Sequence, residues 1–206
     1  MPHFKFPCHY VYWSQVDDHE NIKSNVLPVI HKLENEFADN ETFKASNVNT
    51  NFLKQKNFLD DKMVNEIVWK NLEKMIAETD CFTIKPDDCV LTQYWFNTYE
   101  TNNFQEMHHH IGLPSMIDGK RYDHTFSMIY ILHSEEERNS TIFKLEEPTM
   151  PFHPMLKKIE FNTANVDEIK EGTVLIFSNI LNHAVLPVKV PGRVTIAFNV
   201  ACSFST

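Results

Sequence analysis

The sequence predicts a mainly β protein with packed α-helices, in which the helices cover one side of an antiparallel barrel or sandwich. Its 206 residues, 42% of them hydrophobic and 23% charged, have the composition of one globular domain with a continuous core. Helical patterns lie within residues 1–89, and short runs rich in aromatic and β-branched residues follow from residue 90. We therefore treat 1–206 as a single domain, with N-terminal strands and support helices in 1–89 and the β core in 90–206.

Stripes of apolar residues at three- and four-residue spacing predict two amphipathic helices. The later stripe begins after Asp61 and consists of Val64, Ile67, Val68, Leu72, Met75 and Ile76. The earlier stripe consists of Val26, Val29, Ile30, Leu33 and Phe37. Because proline lacks an N–H and is tolerated in the first turn of a helix, Pro28 predicts that the earlier helix begins near Asn25.

Apolar runs after residue 90 predict strands separated by polar or turn-forming residues. They lie at roughly 90–100, 105–111, 125–133, 139–146, 157–163, 173–178, 183–190 and 193–203. Turn-forming residues occupy 134–139, 147–154, Glu171–Gly172 and Pro191–Gly192. We expect the polar segment 111–125 to form a long loop at the mouth of the barrel, and Trp13, Trp69 and Trp95 to lie in the core.

The charge balance and the cysteine spacing exclude several classes of protein. With 19 Lys and Arg against 28 Asp and Glu, the net charge of -9 disfavours nucleic acid and anionic membranes as partners. A run of about 20 apolar residues and a basic, apolar leader are both absent, so we expect a soluble, cytoplasmic protein, in the host cytoplasm if it is viral. Cys8, Cys81, Cys89 and Cys202 form no CxxC pair, which predicts reduced, structural thiols.

The histidines indicate a metal site. In an extended strand His108 and His110 would project to one face, and His183 would open a strand far along the chain. Two ligands from one strand and a third from another leave open positions on a metal ion. Arg193 begins an otherwise apolar strand, so a guanidinium facing the interior would need an anion, such as a cosubstrate carboxylate. Alternatives without a metal site fit the same residues. The histidine run could lie on a solvated surface strand, His183 could be a hydrogen-bonded core residue, and Arg193 could point outward.

The order of several short motifs resembles the iron(II)- and 2-oxoglutarate-dependent oxygenases, most closely a subgroup frequent in marine bacteria and phages. The similarity covers roughly residues 90–203 and lies in Tyr94–Tyr99, Phe104–His110, Phe126–Leu132, Glu171–Phe177, Asn182–His183 and Gly192–Arg193. The resemblance implies a double-stranded β-helix, also called jelly-roll or cupin-like, that binds Fe(II) and the cosubstrate 2-oxoglutarate. It further implies a hydroxylase that uses O2 on a peptidyl or small-molecule substrate and releases succinate and CO2.

The family's site residues transfer to matching positions of this chain. His108 matches the first histidine of the HxD/E…H metal motif, His183 the last, and Arg193 the arginine that binds the distal carboxylate of 2-oxoglutarate. His110 stands where the family usually has a carboxylate. Glu106, Asp118 and Asp123 remain alternatives for that ligand. Asn97, Tyr99, Ile129, Ile131 and Ser127 are candidate cosubstrate or pocket residues.

Two other functions fit the same residues. The first is a three-histidine, cupin-type metal dioxygenase or isomerase that uses no 2-oxoglutarate, in which Arg193 would bind the carboxylate of the substrate. The second is a non-catalytic β-sandwich binding module with incidental histidines. The sequence predicts neither the identity of the substrate nor the oligomeric state.

Overall fold

The computed structural model describes residues 10–34, 47–53, 56–79, 84–136, 140–144 and 160–203. Helix α1 spans His19–Glu34, and a second helical segment consists of α2 (Asp61–Val64), a π-helical turn (Asn65–Trp69) and α3 (Lys70–Thr79). Short 3-10 helices span Pro86–Asp88 and Thr163–Asn165. No helix in this described part combines the length and the apolar composition needed to span a bilayer.

A described strand overlaps each predicted run, and the described part of the chain contains three further short strands. The described strands are β1 (Val11–Gln15), β2 (Asn49–Thr50), β3 (Cys89–Tyr99), β4 (Gln105–His108), β5 (Ser115–Ile117), β6 (Lys120–His133), β7 (Thr141–Lys144), β8 (Glu160–Asn162), β9 (Thr173–Ser178), β10 (Asn182–Val185) and β11 (Arg193–Cys202). Strands β4 and β10 are shorter than predicted. Some predictions fall outside the described residues. They are the turn at 147–154, the ends of the predicted strands 139–146 and 157–163 that adjoin it, and Phe37.

The strands form two antiparallel sheets. The larger sheet has the order β1-β9-β6-β11-β3-β2, with β5 paired to β6, and the smaller has the order β4-β10-β7-β8. Because side chains alternate along a strand, each strand of the larger sheet presents one set to the helices and the other to the smaller sheet. In β11, for example, Ile196 and Phe198 lie in the helix-facing core, whereas Arg193 and Thr195 line a cavity between the sheets.

The helices cover the outer face of the larger sheet, as predicted. Ile22, Val26 and Ile30 of α1 are buried with Ile67 and Leu72 of the second helical segment. They belong to one apolar cluster with the outward side chains of β3, β6, β9 and β11. This layer supports the sheet on which most of the inter-sheet residues lie.

Three local predictions were wrong. Helix α1 begins at His19 rather than near Asn25, so Pro28 lies inside it, because Ile22 extends the buried stripe by one more turn. Trp13 is 36% exposed and stacks on Phe161 instead of entering the core. The supposed loop 111–125 contains the β5–β6 hairpin, whose Asp118–Gly119 turn has positive φ at both residues (49° and 77°), the pattern of a two-residue hairpin turn.

The Glu171 carboxylate joins α1 to the end of the larger sheet. It contacts the ammonium of Lys23, the Ser134 N–H (2.8 Å), His133 Nδ1 (2.9 Å) and His19 Nε2 (3.2 Å). Burial raises the pKa of Glu171, but these hydrogen bonds outweigh it and lower the pKa to about 2. A carboxyl with a depressed pKa stabilises the folded state fully above its ordinary pKa, and this contribution is lost as the pH falls towards 2.

Glu171→Gln should therefore lower the free energy of unfolding near neutral pH and reduce its dependence on pH. Urea unfolding between roughly pH 6 and pH 3 should show the difference between wild type and variant shrinking as the pH falls. Glu20→Gln is the matched control, because the Glu20 side chain is 88% exposed and lies 3.9 Å from the same His19. A difference that stays constant over this range would contradict the assignment of the acid sensitivity to Glu171.

Candidate active site

Three histidines converge between the two sheets. His108 ends β4 and lies opposite His183 of β10 in the strand register. His110 lies two residues beyond β4, where its N–H donates to the carbonyl of Asn179 (2.9 Å). One ring nitrogen from each histidine lies within 4.8 Å of the other two, and the ring centroids are 4.2, 4.9 and 5.3 Å apart. The predicted trio is thus assembled, although the second histidine lies just outside the strand that was expected to hold it.

The hydrogen bonds of the three rings fix which nitrogen faces the cluster. Each Nδ1 lies against a carbonyl or amide oxygen: Glu106 O (2.7 Å) for His108, Leu181 O (3.2 Å) for His183 and Asn199 Oδ1 (2.9 Å) for His110. Because these oxygens only accept, each neutral ring carries its proton on Nδ1 and its lone pair on Nε2. Metal-binding histidines are commonly oriented in this way.

Burial keeps the three rings neutral. Desolvation lowers the pKa of His108 and of His183, and it lowers the pKa of His110 to about 3. The neighbouring imidazoles act in the same direction, because a second positive charge in the cluster would repel the first. At neutral pH the cluster therefore presents neutral imidazoles, the form that binds a metal ion.

The carboxylates considered for the middle position lie elsewhere. Glu106 contributes its main-chain carbonyl to His108, while Asp118 occupies the hairpin turn and Asp123 pairs with Arg121 (2.7 Å). Within the described residues, the candidate metal group around His108 contains histidines alone. A second candidate group, His19, Glu20 and Glu171, coincides with the ion-pair network that already holds Lys23.

Arg193 points into the space beside the histidines. It is 1% exposed, its guanidinium donates to Thr141 Oγ1 (3.0 Å) and lies 5.3 Å from the centre of the Tyr99 ring, and its Nε has no hydrogen-bond partner. Among the described residues no carboxylate lies within ion-pair distance of it. A buried guanidinium without an anion is costly, so this arrangement favours a bound anionic group.

Arg193 and the histidines line one space, the inner cavity, whose empty volume of about 280 Å³ includes part of the solvent at its opening. Its lining consists of Trp95, Asn97, Tyr99, Gln105, His108, His110, Ile129, His183, Val185, Arg193, Thr195 and Ala197. Asn97 and Tyr99 thus lie where the sequence placed them; Asn97 Oδ1 is buried without a hydrogen-bond partner, and Tyr99 donates to Gln105 (3.1 Å). Ile131 and Ser127 share this face of β6 but lie outside the lining.

Asn199 is a site residue that the sequence analysis missed. Its Oδ1 accepts from His110 Nδ1 and lies 3.5 Å from Ser127 Oγ, so it sets the orientation of the middle histidine. The available signal was a buried amide in the apolar strand β11, at the same inward parity as Arg193. A polar side chain at such a position needs a partner, and here the partner is a candidate ligand.

We expect Asn199→Leu to lower the affinity for a divalent metal about 10- to 100-fold, because the His110 ring loses the acceptor that orients it. Asn199→Asp keeps the acceptor and should retain most of the affinity. Competition between the protein and a Co(II)-binding dye measures both values. Equal affinity in Asn199→Leu and wild type would show that Asn199 does not position the ring.

A second depression, the outer cleft, adjoins His108 and His110. Its empty volume is about 710 Å³, and it shares Trp95, Gln105, His108 and His110 with the inner cavity. The rest of its lining is Phe52, Gln93, His109, Ile111, Gly112, His124 and Asn199, so its described wall has no Asp, Glu, Lys or Arg. The basic side chains of the nearby β5–β6 hairpin are paired, Lys120 with Asp88 (3.3 Å) and Arg121 with Asp123 (2.7 Å).

Solved structures show which fold this arrangement belongs to. A Pseudomonas putida prolyl-4-hydroxylase matches with a TM-score of 0.54 at 11% identity, over 96% of this chain and 94% of that one. The collagen prolyl hydroxylase of Paramecium bursaria Chlorella virus-1, in complex with 2-oxoglutarate, matches with a TM-score of 0.50 at 15% identity, over 93% and 96%. The fold is a double-stranded β-helix.

A third similar structure holds ligands. HygX from Streptomyces hygroscopicus, with nickel, 2-oxoglutarate and hygromycin B bound, matches with a TM-score of 0.51 at 11% identity, over 97% of this chain and 84% of that one. No protein-family profile matches the sequence, and no curated protein matches it. At these identities the likeness establishes the fold, while function has to be argued from the site.

Proposed function

We propose that this protein is an Fe(II)- and 2-oxoglutarate-dependent oxygenase that hydroxylates a peptidyl or small-molecule substrate. The observation that carries the proposal is the pairing, in one cavity, of three neutral histidines with a buried arginine that has no anionic partner among the described residues. The double-stranded β-helix supports it, since the similar structures include oxygenases of this class.

The residues present fit both the metal and the cosubstrate. Imidazole nitrogens suit iron, and three ligands on one side leave positions for other groups. The Nε of Arg193 and the Oδ1 of Asn97 are buried polar atoms without partners, so the inner cavity is prepared for a polar ligand. When bound, iron and 2-oxoglutarate supply the oxidising chemistry, with O2 as the oxidant and succinate and CO2 as coproducts.

Side chains of the chain would orient and shield these groups. Arg193 binds the distal carboxylate of 2-oxoglutarate, and the contacts with Tyr99 and Thr141 hold the guanidinium in place. The apolar side chains of Ile129, Val185 and Ala197 exclude water from the inner cavity. The protein thereby fixes geometry and dielectric, while the bound groups carry the reaction.

The outer cleft is the proposed place of the substrate. It shares His108 and His110 with the inner cavity but is not lined by Arg193, so a substrate there would lie beside the metal and apart from the arginine. Its described wall combines aromatic and aliphatic side chains with the amides of Gln93 and Asn199. Such a surface favours an uncharged peptide segment or small molecule over a strongly charged one.

One observation favours a second candidate, the three-histidine dioxygenase or isomerase that uses no 2-oxoglutarate. The candidate metal group around His108 contains no carboxylate among the described residues, unlike the usual two-histidine, one-carboxylate triad. In that case Arg193 would bind the carboxylate of the substrate itself. The two candidates differ in whether 2-oxoglutarate binds in a metal-dependent way.

Thermal unfolding with Mn(II), with 2-oxoglutarate and with both tests the proposal, because a ligand of the native state raises Tm. We expect 2-oxoglutarate to raise Tm only when the metal is present, and Fe(II), ascorbate and O2 then to yield succinate. A rise with the metal alone and no further effect of 2-oxoglutarate would overturn the proposal in favour of the second candidate. No response to either ligand would overturn both.

A further inference from the structure

Cys89 and Cys202 meet where two long strands end. Cys89 is the first residue of β3, Cys202 is the last residue of β11, and they are direct partners in the antiparallel register. Their sulfur atoms are 2.8 Å apart. Both side chains belong to the helix-facing core, with Cys89 8% exposed and Cys202 fully buried.

We propose that Cys89 and Cys202 form a reversible intrachain disulfide. Directly opposed residues of antiparallel strands have Cα atoms about 4.5 to 5.5 Å apart, which lies within the range that a disulfide spans. The sulfur atoms already face each other, so bond formation requires only a small approach of the side chains. The proposal stands on this geometry and does not depend on the proposed oxygenase activity.

The two thiols differ in a way that assigns their roles. A hydrogen bond from the Cys202 thiol lowers the pKa of Cys89, although burial opposes it. The same hydrogen bond, together with burial, raises the pKa of Cys202. Cys89 is also the more accessible of the two, so it is the thiol that reacts with an external oxidant, and Cys202 is the resolving thiol.

Glutathione disulfide can serve as the oxidant, and the exchange then balances. The Cys89 thiolate attacks one sulfur of glutathione disulfide, forms a mixed disulfide and releases one glutathione thiolate. Cys202 loses its proton and attacks the Cys89 sulfur, which releases the second glutathione. Two electrons pass from the cysteine pair to glutathione disulfide, and both cysteine protons end on the two glutathione thiols.

The cross-link would join β3 and β11 without occupying the inner cavity. These strands carry Trp95, Asn97, Tyr99, Arg193 and Asn199, which face the smaller sheet, whereas the cysteines face the helices. A bond between residues 89 and 202 closes a long segment of chain, and closing a long loop restricts the unfolded state. Oxidation should therefore raise Tm while metal binding is retained.

The experiment uses full-length protein carrying Cys8→Ser and Cys81→Ser, which removes the two cysteines that lie outside the described residues. The native protein is incubated with glutathione disulfide, alkylated and analysed by intact mass. We expect the loss of two hydrogen atoms, no alkylation, a rise in Tm of roughly 5 °C or more, and full reversal by dithiothreitol. Two alkylated thiols, or a stable glutathione adduct in place of the disulfide, would overturn the proposal.

Single variants test the two roles. With Cys202→Ala, Cys89 should keep a glutathione adduct, because no thiol remains to displace it. With Cys89→Ala, the buried Cys202 should stay unmodified for as long as the protein is folded. An adduct on Cys202 instead of Cys89 would contradict the assignment. The mass measurement on the protein that retains both cysteines needs no substitution in the core, so it stays decisive even if these variants unfold.

Discussion

Replacing Arg193 by methionine is expected to abolish 2-oxoglutarate binding and to leave the ligand-free protein at least as stable as wild type. The guanidinium is buried with an unpartnered Nε, so its removal takes away an uncompensated charge. Replacing buried charged groups by apolar side chains of similar volume is often neutral, or stabilising by about 1–4 kcal/mol. The charge-assisted hydrogen bonds of a bidentate contact between arginine and a carboxylate contribute to the free energy of binding, and their loss should weaken 2-oxoglutarate binding more than about 100-fold.

Urea unfolding without ligand and calorimetric titration of 2-oxoglutarate in Mn(II) measure the two effects separately. Arg193→Lys is the matched control: it keeps the charge but lacks the planar fork, so we expect intermediate affinity. A variant Arg193→Met that loses stability and still binds 2-oxoglutarate would show that the arginine serves the fold. Loss of stability together with loss of binding would contradict the claim that the site is prepared for an anion.

The second large effect is expected at the histidines. His183→Ala should lower the affinity for divalent metal by more than about 100-fold, since outer contacts of a ligand alone are worth 10- to 100-fold. His109→Ala should keep the affinity within a few-fold of wild type, because His109 is exposed and is not part of the clustered trio. Both substitutions remove an imidazole, so a difference between their metal affinities reports where the imidazole lies and not merely that one was lost.

Metal affinity is measured by competition with a chelating dye, alongside the Tm of each apoprotein. The Tm of the His183→Ala apoprotein shows that the variant is folded, which the comparison of affinities requires. Equal affinity in His183→Ala and His109→Ala would remove the basis for a metal centre at this position. A larger loss of metal affinity in His109→Ala than in His183→Ala would indicate that the metal binds on the exposed side of the segment 108–110.

Period-two patterning explains why the strands could be predicted from sequence. Alternation places Ser127, Ile129 and Ile131 on one side of β6. The side on which Arg193 lies was left open by the sequence, and the structure places it opposite Tyr99, its register partner, in the lining of the inner cavity.

His110 shows the limit of this reasoning, because it lies beyond the end of β4 and is held by a main-chain bond to Asn179. Alternation within a strand correctly predicted that His110 lies beside His108, but His110 is not part of that strand.

The misses have physical causes of their own. Propensity rules place proline in the first turn of a helix. The burial of Ile22 instead favours a helix that begins earlier, at His19, so Pro28 lies in its interior. The Asp118–Gly119 turn carried a recognisable hairpin signal that the polar composition around it obscured. The position of Asn199 in an apolar strand marks it as an unusual polar residue, but its partner His110 lies 89 positions away and no local pattern identifies that partner. The single-domain division, the cytoplasmic location and the marine or phage subgroup stay predictions.

The most direct test is the crystal structure of the protein with Mn(II) and 2-oxoglutarate, collected at a wavelength that reveals the metal by anomalous scattering. We expect one strong peak bound by His108, His110 and His183, with 2-oxoglutarate on the same ion and its far carboxylate against Arg193. Metal bound away from these histidines, or an empty inner cavity at saturating 2-oxoglutarate, would contradict the account.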